Sequence, residues 1–96
     1  MSPKKRKKLY ILRKKLDKLD NSFIKLIKSR SAIVKKVLLL KDYKNQIVDK
    51  KRIKSILLQI KIKSLKNNID PKITRRIWKN MIAAYIDYEK RNFKKK

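Results

Sequence analysis

The feature that most constrains the fold is an apolar seam through the first forty residues. Its members recur at alternating steps of three and four residues, the spacing of helices that pack along a seam. They are Leu9, Leu12, Leu16, Leu19, Phe23, Leu26, Ile33, Val37 and Leu40. At position 30 the repeat demands an apolar residue, but the chain has Arg30. The seam therefore predicts one long helix with a charged residue in its packing face.

A helix from about residue 8 to about residue 42 would be roughly 50 Å long. A compact domain of this size is only about 30 Å across, so the remaining residues are too few to cover such a helix. We therefore expect the seam to pack against a second copy of the chain. The predicted fold class is all-α, a three-helix chain with a long first helix in an intertwined helical homodimer.

Two further helices are predicted from their end signals. Asp49 is placed as the N-cap of a second helix, and the asparagines of "KNNIDP" can end it in a left-handed conformation. Asp70 followed by Pro71 is an N-cap followed by proline at the first helical position. The second helix has an apolar face of Ile53, Ile56, Leu57 and Ile60. The third has an apolar stripe of Ile73, Ile77, Met81 and Tyr85, and Glu89 continues that stripe.

The composition excludes several kinds of chemistry. The chain has no Cys, no His and no Gly. Thiol nucleophiles, disulfides, imidazole acid–base catalysis, the usual zinc sites and Gly-rich phosphate loops are thereby excluded. We expect neither a metal nor a cofactor. We also expect a cytoplasmic location, because no stretch has the length and apolarity of a secretory signal or a membrane span.

The net charge indicates an anionic partner. There are 32 Lys and Arg against 7 Asp and Glu, a formal charge of +25. Such a chain attracts nucleic acid, acidic membranes or small anionic metabolites. A basic helical nucleic-acid binder is therefore one alternative. It is the less favoured one, because the basic residues are spread around the helices rather than striped with aromatic residues.

Two charged residues occupy positions where the helical period demands apolar ones. These are Arg30 and Glu89, the single glutamate of the chain. An unpaired buried charge is costly. Either the two pair with each other or with other polar groups, or they face a polar cavity. Both arrangements imply a site inside a helical bundle, where such folds bind their ligands.

The spacing of the charged residues resembles a known family. The stretch "LRKKLDKLDNSFIKLIKSR", a Lys eleven residues after its last Arg, and "IVDKKR" are similar to the all-helical chorismate mutases. The resemblance extends from Leu9 to about Glu89. It implies an isomerase that rearranges the dianion chorismate to prephenate in aromatic amino-acid biosynthesis. It also implies an intertwined homodimer with two equivalent sites.

The resemblance implies that Lys41 and Glu89 are the catalytic donors to the ether oxygen of the substrate. On an ideal helix Arg30 and Lys41 differ by only about 20° in direction, so both would face one pocket. Glu89 stands where most family members have Gln, and it must be protonated to donate a hydrogen bond. We therefore expect activity to decline as Glu89 ionises with rising pH, and Glu89→Gln to flatten that dependence.

The resemblance also implies a substrate-binding set. Its members are Arg13, Arg30, Asp49, Arg52, Ile53 and Tyr85. Arg13 would reach the site of the partner subunit, and the guanidinium groups suit the substrate carboxylates. Without the resemblance, Asp49 is equally well explained as a helix cap and Arg52 as a solvated side chain. Tyr85 would be a core residue or part of the pocket wall.

One departure from the family pattern leaves alternatives open. Ile53 replaces a Glu that is expected to accept the substrate hydroxyl. The related isochorismate-pyruvate lyases tolerate an apolar residue there, so a lyase is an alternative, as is a catalytically weak mutase. The predicted domain covers residues 9–93, between basic tails at 1–8 and 94–96 that we expect to be disordered.

Overall fold

The computed structural model describes residues 1–94, and these residues form helices and loops without strands. Helix α1 spans Pro3–Leu40, α2 spans Lys50–Lys66 and α3 spans Pro71–Asn92. A short 3-10 helix at Lys44–Gln46 lies in the loop between α1 and α2. The prediction of an all-α, three-helix chain with a long first helix is confirmed.

Helix α1 begins earlier than the seam indicates. The backbone N–H of Lys5 donates to Ser2 Oγ at 3.2 Å, and Pro3 occupies the first helical position. Ser2 therefore acts as an N-cap, and lysine and arginine are good helix formers. The predicted start of the helix at about residue 8 is therefore wrong. Most of residues 1–8, where a disordered tail was predicted, belong to α1. The tail at 94–96 extends beyond the described residues, which end at Lys94.

The chain divides into two compact parts, an N-terminal segment of residues 1–34 and a C-terminal unit from residue 35 onward. In the N-terminal segment the apolar side chains of α1 are largely exposed. Leu16 and Leu19 are 58% and 59% exposed, and Leu26 is 62% exposed. This segment consequently has a continuous helix but no packed core of its own.

The C-terminal unit contains the hairpin of α2 and α3, and its turn follows the predicted end signals. Asn68 has a φ of 55°, the left-handed conformation that ends many helices. The backbone N–H of Ile69 then donates to the carbonyl of Ser64 at 2.9 Å. The Asp70 carboxylate accepts from the backbone N–H of Lys72 at 2.9 Å, with Pro71 at the first helical position. These predictions are confirmed.

A pair of hydroxyl groups joins α2 to α3. Buried Ser64 and half-buried Thr74 have their hydroxyl oxygens 2.7 Å apart, and Ser64 also donates to the carbonyl of Ile60 at 2.6 Å. Thr74 thus faces α2. On the neighbouring face, Ile73 and Ile77 are exposed at the start of α3, whereas Trp78, one turn after Thr74, is half-buried. The predicted stripe of α3 is therefore displaced by one position in its first half.

Candidate active site

The C-terminal unit brings together two residues that are 48 positions apart in the chain. Lys41 follows the last residue of α1, and Glu89 lies in the last turns of α3. The ammonium group of Lys41 donates to both carboxylate oxygens of Glu89, at 3.2 Å to Oε1 and 3.1 Å to Oε2. The two predicted catalytic residues thus form a bidentate ion pair.

This ion pair is mostly removed from solvent. The side chain of Glu89 is 8% exposed and that of Lys41 is 19% exposed. Removing two charges from water costs free energy that their mutual attraction often only offsets. A second side-chain ion pair, between Asp87 and Arg91, lies at the surface one helical turn apart. Stability alone therefore gives little reason for burying Lys41 and Glu89.

The ion pair with Lys41 explains how the Glu89 carboxylate can occupy a position on the apolar stripe of α3. Glu89 is one of the few buried residues of the unit, and its partner is Lys41. Both of its oxygens accept from one ammonium group, as in an ionised carboxylate. The expected role of Glu89 as a donor therefore requires a proton on the carboxyl group and a rearrangement of this pair when a ligand arrives.

Lys41 also lines an open depression beside the start of α2. The depression has a volume of ≈ 650 Å³, and its wall consists of Lys41, Gln46, Val48, Asp49, Lys50 and Lys51. Three lysines and one carboxylate give its wall a net positive charge, which suits an anionic ligand. We call this feature the Lys41 depression.

The D-x-x-R pair at the start of α2 is a helix cap in the structure. The Asp49 carboxylate accepts from the backbone N–H of Arg52 at 3.0 Å, and both side chains are exposed. The prediction of Asp49 as an N-cap is confirmed. The capping bond uses the backbone of Arg52, so its guanidinium group is not needed for the cap. Ile53 and Tyr85, from α2 and α3, are both half-buried.

Arg13 and Arg30 belong to the N-terminal segment and are exposed on α1. Within the C-terminal unit, the structure joins Lys41 to Glu89 and places Lys41 and Asp49 in the wall of one depression. The roles of all eight predicted site residues stay predictions.

One residue of the Lys41 depression was missed by the sequence analysis. The side-chain oxygen of Gln46 accepts from the backbone N–H groups of Asp42 and Tyr43, at 2.8 and 2.9 Å. A Gln three positions after the residue that begins a helical turn is the signal that could have found it. Tyr43 occupies that starting position in the 3-10 helix.

Residues 12–90 match the sequence profile of the family described as chorismate mutase type II. The matched range covers most of α1 and all of α2, and it ends one residue beyond Glu89. Comparisons with curated proteins and with solved structures found no match. In the part of the chain that the structure describes, no helix is both long enough and apolar enough to cross a membrane.

Proposed function

The chain belongs to the chorismate mutase type II family, an isomerase family, and we propose a mechanism in which Lys41 and Glu89 act on the substrate ether oxygen. The single observation that carries this mechanism is the bidentate contact between the two side chains, at 3.1 and 3.2 Å. It places an ammonium donor and a carboxyl group at one point in a largely buried environment.

The reaction suits a chain without Cys or His. Chorismate rearranges to prephenate by breaking one C–O bond and forming one C–C bond within the same molecule. No nucleophile and no proton transfer are required. The enzyme must hold the substrate in its reactive folded shape and stabilise the negative charge that develops on the ether oxygen. Together these effects can supply the roughly 8 kcal/mol that corresponds to a 10⁶-fold acceleration.

In this mechanism Lys41 donates to the ether oxygen as the bond breaks. Its ammonium group is already held by two contacts, so little side-chain freedom remains to be lost in the transition state. Glu89 supplies the second donor when it is protonated, as Gln does in most of the family. Substrate binding replaces one oxygen of Glu89 as the acceptor for Lys41.

The two carboxylates of the substrate require further cations. We assign them to Arg30 and to Arg13 of the partner subunit, because guanidinium groups bind carboxylates through two parallel hydrogen bonds. Asp49 and Arg52 contribute at the start of α2. Ile53 and Tyr85 form an apolar part of the wall of the substrate site. The cationic wall of the Lys41 depression supports an anionic ligand on this side of the unit.

The contribution of Arg13 requires a homodimer in which α1 packs against a second copy. The support is the exposure of the seam, whose members Leu12, Leu16, Leu19, Phe23 and Leu26 are all more than half exposed in the single chain. A contiguous apolar face of this kind marks an interaction surface. Pairing two such faces would cover both seams, and the symmetry would create two equivalent sites.

Product analysis tests the proposal. The purified protein is incubated with chorismate and, separately, with isochorismate, beside the variant Lys41→Met and its control Lys44→Met. We expect prephenate from chorismate with the wild type and with Lys44→Met, and a large loss with Lys41→Met. Salicylate and pyruvate from isochorismate would instead indicate a lyase. Salt-sensitive binding to nucleic acid without turnover of either compound would indicate a nucleic-acid binder.

A further inference from the structure

We propose that Gln46 is a positioning residue for Lys41, acting through the backbone of the loop that follows α1. This inference rests on the proposed role of Lys41 as a donor. The amide oxygen of Gln46 accepts from two successive backbone N–H groups, those of Asp42 and Tyr43. These are the two residues directly after Lys41, so Gln46 fixes the backbone on one side of the catalytic lysine.

The backbone on the other side of Lys41 is fixed by α1. The N–H of Lys41 donates to the carbonyl of Leu38 at 3.1 Å, and Leu38 is buried. The N–H groups of Asp42 and Tyr43 lie beyond the end of the helix, where Gln46 accepts from both. Because Lys41 lies between two fixed stretches of backbone, the base of its long side chain has a defined position and direction.

Gln46 is itself anchored. Its backbone N–H donates to the carbonyl of Tyr43 at 3.0 Å, which closes the 3-10 turn. The next residue, Ile47, is only 4% exposed and is the most buried apolar residue of the C-terminal unit among those described. The chain thus runs from a buried leucine through Lys41 to a buried isoleucine, and the Gln46 side chain folds the intervening loop into a compact turn.

Position 46 suits a neutral side chain that carries a hydrogen-bond acceptor, because its oxygen accepts from two backbone N–H groups. Gln46 shares the wall of the Lys41 depression with Lys41 and two further lysines. A carboxylate at position 46 would also accept from Asp42 and Tyr43, but it would place a negative charge in the wall of a site for a dianion. A methionine would match the length of Gln46 without offering a strong acceptor. These differences allow positioning to be separated from charge.

The kinetic test compares Gln46→Met and Gln46→Glu with a matched control. Gln59→Met makes the same change at the only other glutamine, which is exposed on α2. We expect Gln46→Met to lower kcat about 10-fold, since a small misplacement of a catalytic group is costly. We expect Gln46→Glu to keep at least about half of kcat and to raise KM, because its charge repels the substrate. Gln59→Met should match the wild type.

A double-mutant cycle shows whether Gln46 acts through Lys41. In a Lys41→Met background, Gln46→Met should change kcat less than about twofold, because coupled residues are strongly non-additive. An equal loss of kcat in both backgrounds would overturn the proposal, since it would indicate a general loss of folded protein. A wild-type kcat in Gln46→Met would overturn it as well.

A second readout does not depend on activity, so it separates this proposal from the proposed function. Urea unfolding of Lys41→Met, Glu89→Gln and the double variant gives the coupling free energy between these two side chains. We expect Gln46→Met to reduce that coupling by more than half, and Gln59→Met to leave it unchanged. Amide exchange at Asp42 and Tyr43 should accelerate in Gln46→Met alone. An unchanged coupling would overturn the proposal even if the protein proved inactive on chorismate.

Discussion

The N-terminal segment and the C-terminal unit differ in how they dispose of their apolar residues. Leu16 and Leu19 of the segment are well over half exposed, whereas Leu38 and Ile47 of the unit are 9% and 4% exposed. The unit also pairs polar side chains with each other: Ser64 is hydrogen-bonded to Thr74, and Lys41 forms an ion pair with Glu89. The segment is thus a helix with a large exposed apolar face, whereas the unit contains a hairpin whose helices pack against each other.

This difference predicts that substitutions in the two parts will affect stability and activity in different ways. Changes in the unit should alter stability and catalysis in a way that does not depend on protein concentration. Changes on the seam of the segment should act through association, and their effect should weaken as the concentration rises. Four variants test whether the two parts differ in this way.

The largest effect is expected from Leu16→Asp on the exposed seam. An unpaired charge buried in an interface costs about 3 kcal/mol, and a symmetric dimer buries two of them, so the association equilibrium shifts by about 10⁴-fold. We expect a monomer in analytical ultracentrifugation and the loss of most activity at micromolar protein, with partial recovery as the concentration rises. Asn21→Asp makes the same charge change at an exposed position on the face of α1 opposite the seam, and it should leave the dimer intact. A dimeric, active Leu16→Asp would show that the seam is not an interface.

The next effect is expected from Lys41→Met in the C-terminal unit. Loss of one donor to a developing oxyanion lowers kcat by about 100-fold or more. The substitution also leaves the buried Glu89 carboxylate without its ammonium partner, which costs about 3–5 kcal/mol of stability. Steady-state kinetics and urea unfolding measure the two losses, and neither should change with protein concentration. Lys44→Met, on the exposed 3-10 helix, should show neither loss.

A smaller effect in the opposite direction is expected from Glu89→Gln. The amide donates without needing a proton from solvent, so we expect kcat to rise several-fold at pH 8 and to depend less on pH than in the wild type. Wild-type activity should fall with rising pH, because a carboxyl group at position 89 donates only while it holds a proton. Asp87→Asn removes the same charge from an exposed position and should keep the wild-type profile. Identical profiles for Glu89→Gln and the wild type would defeat the donor role.

The smallest effect is expected from Ser64→Ala, which removes the hydroxyl contact between α2 and α3. We expect a loss of about 1 kcal/mol in unfolding free energy, the usual value of such a hydrogen bond. Ser55→Ala on the exposed face of α2 corrects for the better helix propensity of alanine. The loss should be the same at every protein concentration, and kcat should not change. A concentration-dependent loss would mean that the hairpin, too, depends on association.

Local signals predicted much of this fold. Asp49, Asp70 and Pro71 could be placed from sequence because a cap depends only on its neighbouring residues. A left-handed asparagine could be placed in "KNNIDP", because asparagine is one of the few residues other than glycine that accept a positive φ. The structure shows that this residue is Asn68. The start of α1 was missed because a run of lysines resembles a solvated tail, although the same residues favour a helix when Ser2 caps them.

Contacts between distant residues were harder to predict. The apolar stripe of α3 showed that Glu89 occupies a position where an apolar residue is expected. The family resemblance placed Lys41 at the same site. Periodicity alone could not show that Glu89 pairs with a residue 48 positions away. The inward face at the start of α3 includes Thr74, which contacts Ser64, whereas hydrophobicity alone favoured Ile73 and Ile77. The contacts of Gln46 with the backbone of Asp42 and Tyr43 follow a local capping signal rather than the helical period, so the periodic pattern did not identify them.

In the proposed mechanism the N-terminal segment of one subunit completes the site of the other, and subunit mixing tests this most directly. Arg13→Ala and Lys41→Met are unfolded, mixed in equal amounts and refolded together, beside a mixture of Lys41→Met with Glu89→Ala. If Arg13 comes from the partner subunit, half of the dimers are mixed and each has one intact site, so about a quarter of wild-type activity should return. The second mixture has both defects in the C-terminal unit and should regain nothing. Activity no higher than the average of the two single variants in the first mixture would contradict the account.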